Sequence, residues 1–243
     1  MKVLVIDVGG SHVKILATGQ TQERFIVSGP RMSARQMVEG VKKLAGGWAY
    51  DRVSIGYPGV VKNEQPVTEP HNLAPGWVQF DYPGAFGKPV KIINDAAMQA
   101  LGSYRQGKML FLGLGTGLGT TLIVGGVVLP MELAHLPYRK KTFEDYVGEL
   151  ALERCGKKKW RQHVTDVAAL LRAALLPDEV VIGGGNIRHV DKLPPGCRAG
   201  ENTNAFAGGF RMWDGPSEAP VTTPLRAALK KPRAARRAAS KSA

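Results

Sequence analysis

Apolar residues in the first eighteen positions fall into two short runs, VLVIDV and VKILAT, separated by Gly9, Gly10 and Ser11. The pattern predicts strand, glycine turn, strand over 3–8 and 12–18, with a third strand at 24–28. In MSARQMVEGVKKLAGG the period changes: Met37, Val38, Val41, Leu44 and Ala45 share one side of a predicted helix. Strands return near 52–57 and 90–93. NDAAMQALGSYRQG opens on Asn94 and Asp95, residue types that cap free amides, and predicts a helix ending near Gly107.

The second half repeats the opening. MLFLGLGTGLGTTLIV lies over VLVIDVGGSHVKILAT with a shift of 106, placing Gly115 on Gly9, which implies a weak internal duplication. FEDYVGELALERCG and WRQHVTDVAALLRAALL predict helices. DEVVIGGGN reads as a short strand running into Gly183, Gly184 and Gly185. NTNAFAGGFRMW predicts a last helix, against which Gly208 and Gly209 weigh. Two lobes, 1–108 and 109–215, with a cleft between them would bring all three glycine turns to one mouth.

Composition narrows the class. A chain of 243 residues, 44% hydrophobic and only 7% aromatic, suits an α/β body of enzyme size. Cys155 and Cys197 lie far apart without zinc-site spacing, the first residues lack an apolar leader, and no apolar run nears the roughly 20 residues needed to span a bilayer. The expectation is a reduced, cytoplasmic protein with no membrane partner. The net charge of +13 changes that picture less than it promises. Seven Lys or Arg and no acid follow Val221, whereas residues 1–220 hold 26 basic and 20 acidic side chains. Residues 216–243 therefore read as a disordered basic tail that attracts polyanions loosely. No aromatic is interleaved to suggest specific nucleic-acid recognition.

The glycine turns are where the candidate chemistry starts. Backbone amides converge on phosphate oxygens only where no Cβ intervenes, so DVGGSHVK and GLGTGLGT are either plain hairpins or phosphate cradles. Asp95, between a strand and a helix, is either a general base aimed into a cleft or a helix cap. Asp7, ending the first strand, can hold Mg²⁺ through water or stabilise its own turn. Lys14 either approaches a transferred phosphate or is a solvated strand lysine. Glu132 and His135, three apart, suit the vicinal hydroxyls of a sugar ring.

DVGGSHVK, GLGTGLG and VIGGGN, in that order with an Asn-Asp pair between the first two, resemble the phosphate-1, phosphate-2 and adenosine motifs of the actin-like ATPase and sugar kinase fold. More narrowly, IGYPGVV, NLAPGW, IINDA and PMELAH resemble segments of ROK sugar kinases, over about residues 1–213. The short form, with VLPMELAH leading into FEDY, is most similar to the polyphosphate/ATP-dependent glucokinases of that group. The resemblance implies a two-lobed α/β fold, ribonuclease H-like, with a duplicated hairpin-and-helix core. It also implies phosphoryl transfer from ATP or polyphosphate, with Mg²⁺, to the 6-hydroxyl of a hexose such as glucose. Carried over by position, Asp95 becomes the base, and Asn72, Asn94, Asp95, Glu132, His135 and Glu144 the sugar ligands, with Asp145 or Glu149 as substitutes for Glu144. Asp7, Gly9, Gly10, Ser11, Lys14, Gly115, Thr116, Gly117, Gly183, Gly184 and Gly185 become the phosphate and nucleotide ligands.

Three departures qualify the resemblance. HLPYRKKTFEDY lacks the family's cysteine-rich zinc loop, so no zinc is expected. Ala134 replaces a usual glycine. The first strand begins at once, so the winged helix of the family's repressors, and with it specific DNA binding, is not expected. A homodimer is compatible with the group. A non-catalytic sugar- or nucleotide-binding regulator of the same fold is the alternative, and Asp95 favours the enzyme, since such a binder needs no base.

Overall fold

The computed structural model describes residues 1–201 and 203–214; the predicted basic tail lies outside them. The first half runs β1 (Val3–Val8), β2 (His12–Ala17), β3 (Arg24–Val27), α1 (Ala34–Leu44), β4 (Arg52–Tyr57), β5 (Val61–Lys62), β6 (Gln65–Pro66), α2 (Tyr82–Phe86), β7 (Val90–Asn94) and α3 (Asp95–Ser103). Its second half runs β8 (Lys108–Leu114), β9 (Leu118–Val124), β10 (Val127–Met131), β11 (Pro137–Tyr138), β12 (Lys141–Thr142), α4 (Glu144–Val147), α5 (Glu149–Leu175), β13 (Glu179–Gly183), β14 (Cys197–Ala199) and α6 (Asn204–Arg211).

The two halves build the same sheet. One has the order β3-β2-β1-β4-β7 and the other β10-β9-β8-β13-β14, each with three antiparallel strands followed by two parallel ones. The duplication expected from the hairpins therefore extends to whole sheets, with one local difference. Val8 pairs with Val13 across the first turn, but Leu114 pairs with Leu118 across the second. The second turn is one residue shorter, so the shift of 106 holds for the incoming strand and becomes 105 on the outgoing one.

Local sequence explains α1. Ser33 and Gln36 form a reciprocal capping box, and Ala34, Met37, Val38 and Val41 are buried at helical spacing against the first sheet. In α3 the expected end near Gly107 is corrected: the helix stops at Ser103, because Tyr104 turns extended, and its hydroxyl donates to the Gly107 carbonyl. The chain then returns from its far end. Phe206 of α6 and Met212, which follows it, join Val3, Val5 and Met98 in a small core. Gly208 and Gly209 serve this crossing: a Cβ at Gly208 would overlap the Met98 carbonyl, and one at Gly209 the Val5 side chain. The residues that counted against a helix are what let α6 touch α3 and β1. Through Ala96, α3 also reaches β9, leaving no room for a Cβ at Gly119. It thus lies between both sheets, with Asp95 against Gly56 of β4 and Ala96 against Gly113 of β8 and Gly119 of β9.

Among the described residues no helix is long and apolar enough to cross a membrane. Cys155 and Cys197 are both free thiols.

Candidate active site

Two carboxylates are placed by strand ends. Asp7 is the penultimate residue of β1, opposite Lys14 of β2. Asp95 begins α3 where β7 stops. The helix cap is Asn94: its Oδ1 accepts the Ala97 amide at 3.2 Å, and its Nδ2 donates to the Gly59 carbonyl at 3.1 Å. Asp95 stands one residue inside the helix, accepting the Ala96 amide at 2.8 Å. The capping explanation offered for Asp95 thus belongs to its neighbour.

Burial, then the charge of Asp7, pushes the Asp95 carboxyl up to about 7, against the pull of the local amides. Burial likewise raises Asp7 to about 6, opposed by Lys14 and assisted by Glu23. The Lys14 ammonium lies 3.1 Å from Glu23, so its charge is divided between two acids. Both raised values mean that the metal-free fold holds protons which the unfolded chain releases near pH 4. Their contribution to stability is therefore most favourable at low pH and is lost as pH rises through 6 to 7. Asp95→Asn should raise the melting temperature of the metal-free protein at pH 8 by several degrees, about 1–3 kcal/mol, with the gap narrowing toward pH 4. Thermal melts across that range check it; a gap that does not vary with pH would remove the burial account.

At the first glycine turn, the Gly9 amide donates to His12 at 2.9 Å and Ser28 Oγ to the Gly9 carbonyl at 2.6 Å. Gly10 faces Asn72, whose Cβ would lie 3.2 Å from a Cβ there. Asn72 thus stands against the turn although it lies 62 positions further along the chain. Its loop is ordered by Glu69, which accepts the amides of Gly76, Trp77 and Val78 at 3.1–3.3 Å. Nothing in a lone glutamate had marked it.

The second and third turns form one unit. Gly115 donates to the Gly117 carbonyl at 3.1 Å, and the Glu149 amide, opening α5, donates to Thr116 at 3.1 Å. Buried Asn186, just past the third turn, donates to the Gly115 carbonyl at 3.0 Å. The quoted motif VIGGGN contained this asparagine. Its three glycines differ in kind. Gly183 packs on the Phe111 ring, Gly184 takes φ +83° against the Leu114 backbone, and a Cβ on Gly185 would meet nothing within 4 Å. Gly115 is equally open. A cleft of about 490 Å³ beside Gly185 is lined by Ile187, Arg188, Val190, Asp191 and Leu193 among others. Glu144 also enters this unit: its carboxylate lies on Gly117, where a Cβ would overlap it, and accepts the Leu118 amide at 3.4 Å.

Glu132 precedes, and His135 ends, a 3₁₀ turn, Leu133–His135, just beyond β10. Thr120 ties this segment down, its Oγ donating to Met131 at 2.6 Å and accepting the Leu133 amide at 3.1 Å. The two side chains lie 3.8 Å apart and are 60% and 69% exposed, so they face solvent as a pair. Ala134 is buried in the core without positive φ, so alanine fits where the family usually has glycine. In place of a cysteine loop, β11 and β12 form a tight hairpin whose Tyr138 packs on Phe143, Tyr146 and His163 and donates to Asp166 at 3.0 Å. Asp145 is occupied, accepting both the amide and hydroxyl of Thr142, and these bonds hold its carboxyl below the usual range.

Among known proteins, a family model described as "ROK family" matches residues 3–130. A polyphosphate glucokinase of Mycobacterium tuberculosis (strain CDC 1551 / Oshkosh) is 30% identical over 212 residues, covering 78% of this chain and 80% of that protein. Of solved structures, the inorganic polyphosphate/ATP-glucomannokinase from Arthrobacter sp. strain KM superposes with a TM-score of 0.73 at 20% identity, covering 86% of this chain and 96% of that one. A ROK family glucokinase from Streptomyces griseus, solved with glucose and AMPPNP, gives 0.66 at 16%, covering 87% and 99%. At these identities the two structures speak to the fold, which is that of the actin-like ATPase sugar kinases.

Proposed function

The chain belongs to the ROK family and is a sugar kinase, and we propose that it transfers a phosphoryl group from ATP or inorganic polyphosphate to the 6-hydroxyl of a hexose, glucose first among them. The observation carrying this reading is Asp95: held one residue past the cap, beside Asp7, with its carboxyl raised to about 7. A base with that proton affinity is half ionised at neutral pH and can take a hydroxyl proton as the oxygen attacks phosphorus.

The donor phosphates are received by amides at the two hairpin turns, Gly10 and Ser11 on one side, Thr116 and Gly117 on the other. Gly9 and Gly115 keep those turns open, and Lys14 adds positive charge beside Asp7. Two half-buried carboxylates, both with proton affinity raised by burial and Asp95 further by the charge of Asp7, fit a hard cation, and Asp7 would hold Mg²⁺ through water. Bound there, it would neutralise charge on the donor phosphates. Asn72, Asn94, Glu132, His135 and Glu144 orient the sugar. Gly185 borders the cleft that would take the nucleoside, and Gly183 and Gly184, packed on Phe111 and Leu114, lead the chain into it. The 1–108 and 109–215 lobes then close over the pair of substrates.

A coupled assay of the purified protein against a hexose panel, with ATP and polyphosphate in parallel, tests the proposal. Glucose should lead the panel, and phosphorylation of no hexose by either donor would overturn it. The seven cations beyond Val221 should aid only a long polyanion. Truncation after Pro220 should leave the ATP-dependent rate unchanged and weaken use of long polyphosphate, with a loss that shrinks as salt rises. Equal use of long polyphosphate by both proteins at low salt would free the tail of that role.

A further inference from the structure

Helix α5 begins on the second glycine turn and breaks seven residues later at Gly156, whose φ of +72° and ψ of +161° are outside helical values. The kink is followed by Lys157, Lys158, Lys159 and Arg161, and from Arg154 to His163 there is no acidic residue. The three lysines are exposed. Beyond β13, the segment after Gly185 comes back against this stretch, with Arg161 Nη2 bonded to Asp191 at 2.7 Å. Desolvation first, then the charges of Lys157, Arg188 and Arg161, oppose protonation of His189, whose Nε2 lies 3.1 Å from Arg188 Nε. Asp191 is the acid among them, and it is already paired with Arg161. Lys157, Lys158 and Arg188 form no ion pair among the described residues.

This cationic strip is continuous with the donor site. Arg188 lines the cleft beside Gly185, and Asn186 in the same segment is bonded to the second turn. At 1.5 Å per residue, the first part of α5 runs about 9 Å from Glu149, at the turn, to Cys155, just before the kink that precedes Lys157. A nucleotide ends within the cleft. A donor that is a linear chain of phosphates must leave it, still carrying charge at every phosphate.

We propose that Lys157, Lys158 and Arg188 form a docking strip for the part of a polyphosphate chain that extends beyond the glycine turns. This rests on the kinase reading above and names where the longer donor lies. Exposed lysines on a rigid helix act as point charges without shape selection, which suits a repeating polyanion of indefinite length. Each phosphate contact releases counterions, so affinity through the strip falls steeply with salt. Short phosphate chains and ATP do not reach Lys157 and Lys158.

The test uses the full chain, so that any contribution from the basic tail is equal in both proteins. Binding of fluorescently labelled long-chain polyphosphate is measured for the wild type and for Lys157→Ala/Lys158→Ala, with KM for ATP alongside. The variant should bind long polyphosphate about tenfold more weakly, with a salt slope lower by about one to two, while KM for ATP stays within twofold. Lys157→Arg/Lys158→Arg should restore binding. On adding long polyphosphate, His189 should become easier to protonate in a histidine NMR titration of the wild type, and less so in the alanine variant. Undiminished binding by the alanine variant or no binding by the wild type would each overturn the strip. Failure of hexose phosphorylation with both donors would instead overturn the kinase reading, and the binding measurement would still decide the strip.

Discussion

Asp95→Asn is expected to lower kcat by about 10²-fold or more while leaving sugar affinity nearly intact. An amide keeps the size of the carboxylate and can still accept the Ala96 amide, so the start of α3 should not move. Asn94 continues to cap the helix. What is lost is the ability to take a proton, which matters only as the sugar oxygen attacks. The same substitution removes a half-buried carboxyl whose ionisation the fold opposes, so the variant should be inactive and more stable at pH 8. That combination separates a base from a structural residue, whose loss would weaken the fold and the activity together. Steady-state kinetics with isothermal sugar binding checks it, and retention of most of the wild-type turnover would remove Asp95 from the mechanism.

The third turn should respond in opposite ways at adjacent positions. Gly184→Ala places a methyl onto the Leu114 backbone, in a region of φ and ψ that side chains rarely adopt. Neither backbone can yield without disturbing β8 or β13, and a loss of about 3 kcal/mol, or roughly 6–12 °C in melting temperature, is expected. Gly185→Val and Gly115→Val put side chains into open space and should leave the melting temperature nearly unchanged. These two substitutions occupy the room a donor needs, so KM for ATP should rise at least tenfold while sugar affinity holds. Calorimetry and donor titrations on the three variants decide the matter. Equal destabilisation by all three would reduce these turns to ordinary hairpin glycines.

Much of this was legible in the chain because it is local. Strand and helix periods, the Ser33 cap and the two glycine hairpins depend on residues within a few positions of one another, and the amide geometry of a bare turn follows from the missing Cβ. Repetition of the hairpin pointed to two similar halves, and the motif order pointed to the family. The tertiary structure decided what depends on distant partners. Local propensity cannot see that Gly208 must approach Met98, so glycines that argue against a helix in sequence prove to be its contact surface. Nor can it divide labour between Asn94 and Asp95, since either side chain can cap; the Gly59 carbonyl and the Ala97 amide select Asn94. The raised proton affinity of Asp95 arises from burial under both sheets and from Asp7, 88 positions away. Sequence thus determined which groups were available to the site, and packing determined which were already bonded, because desolvation and charge act through space rather than along the chain.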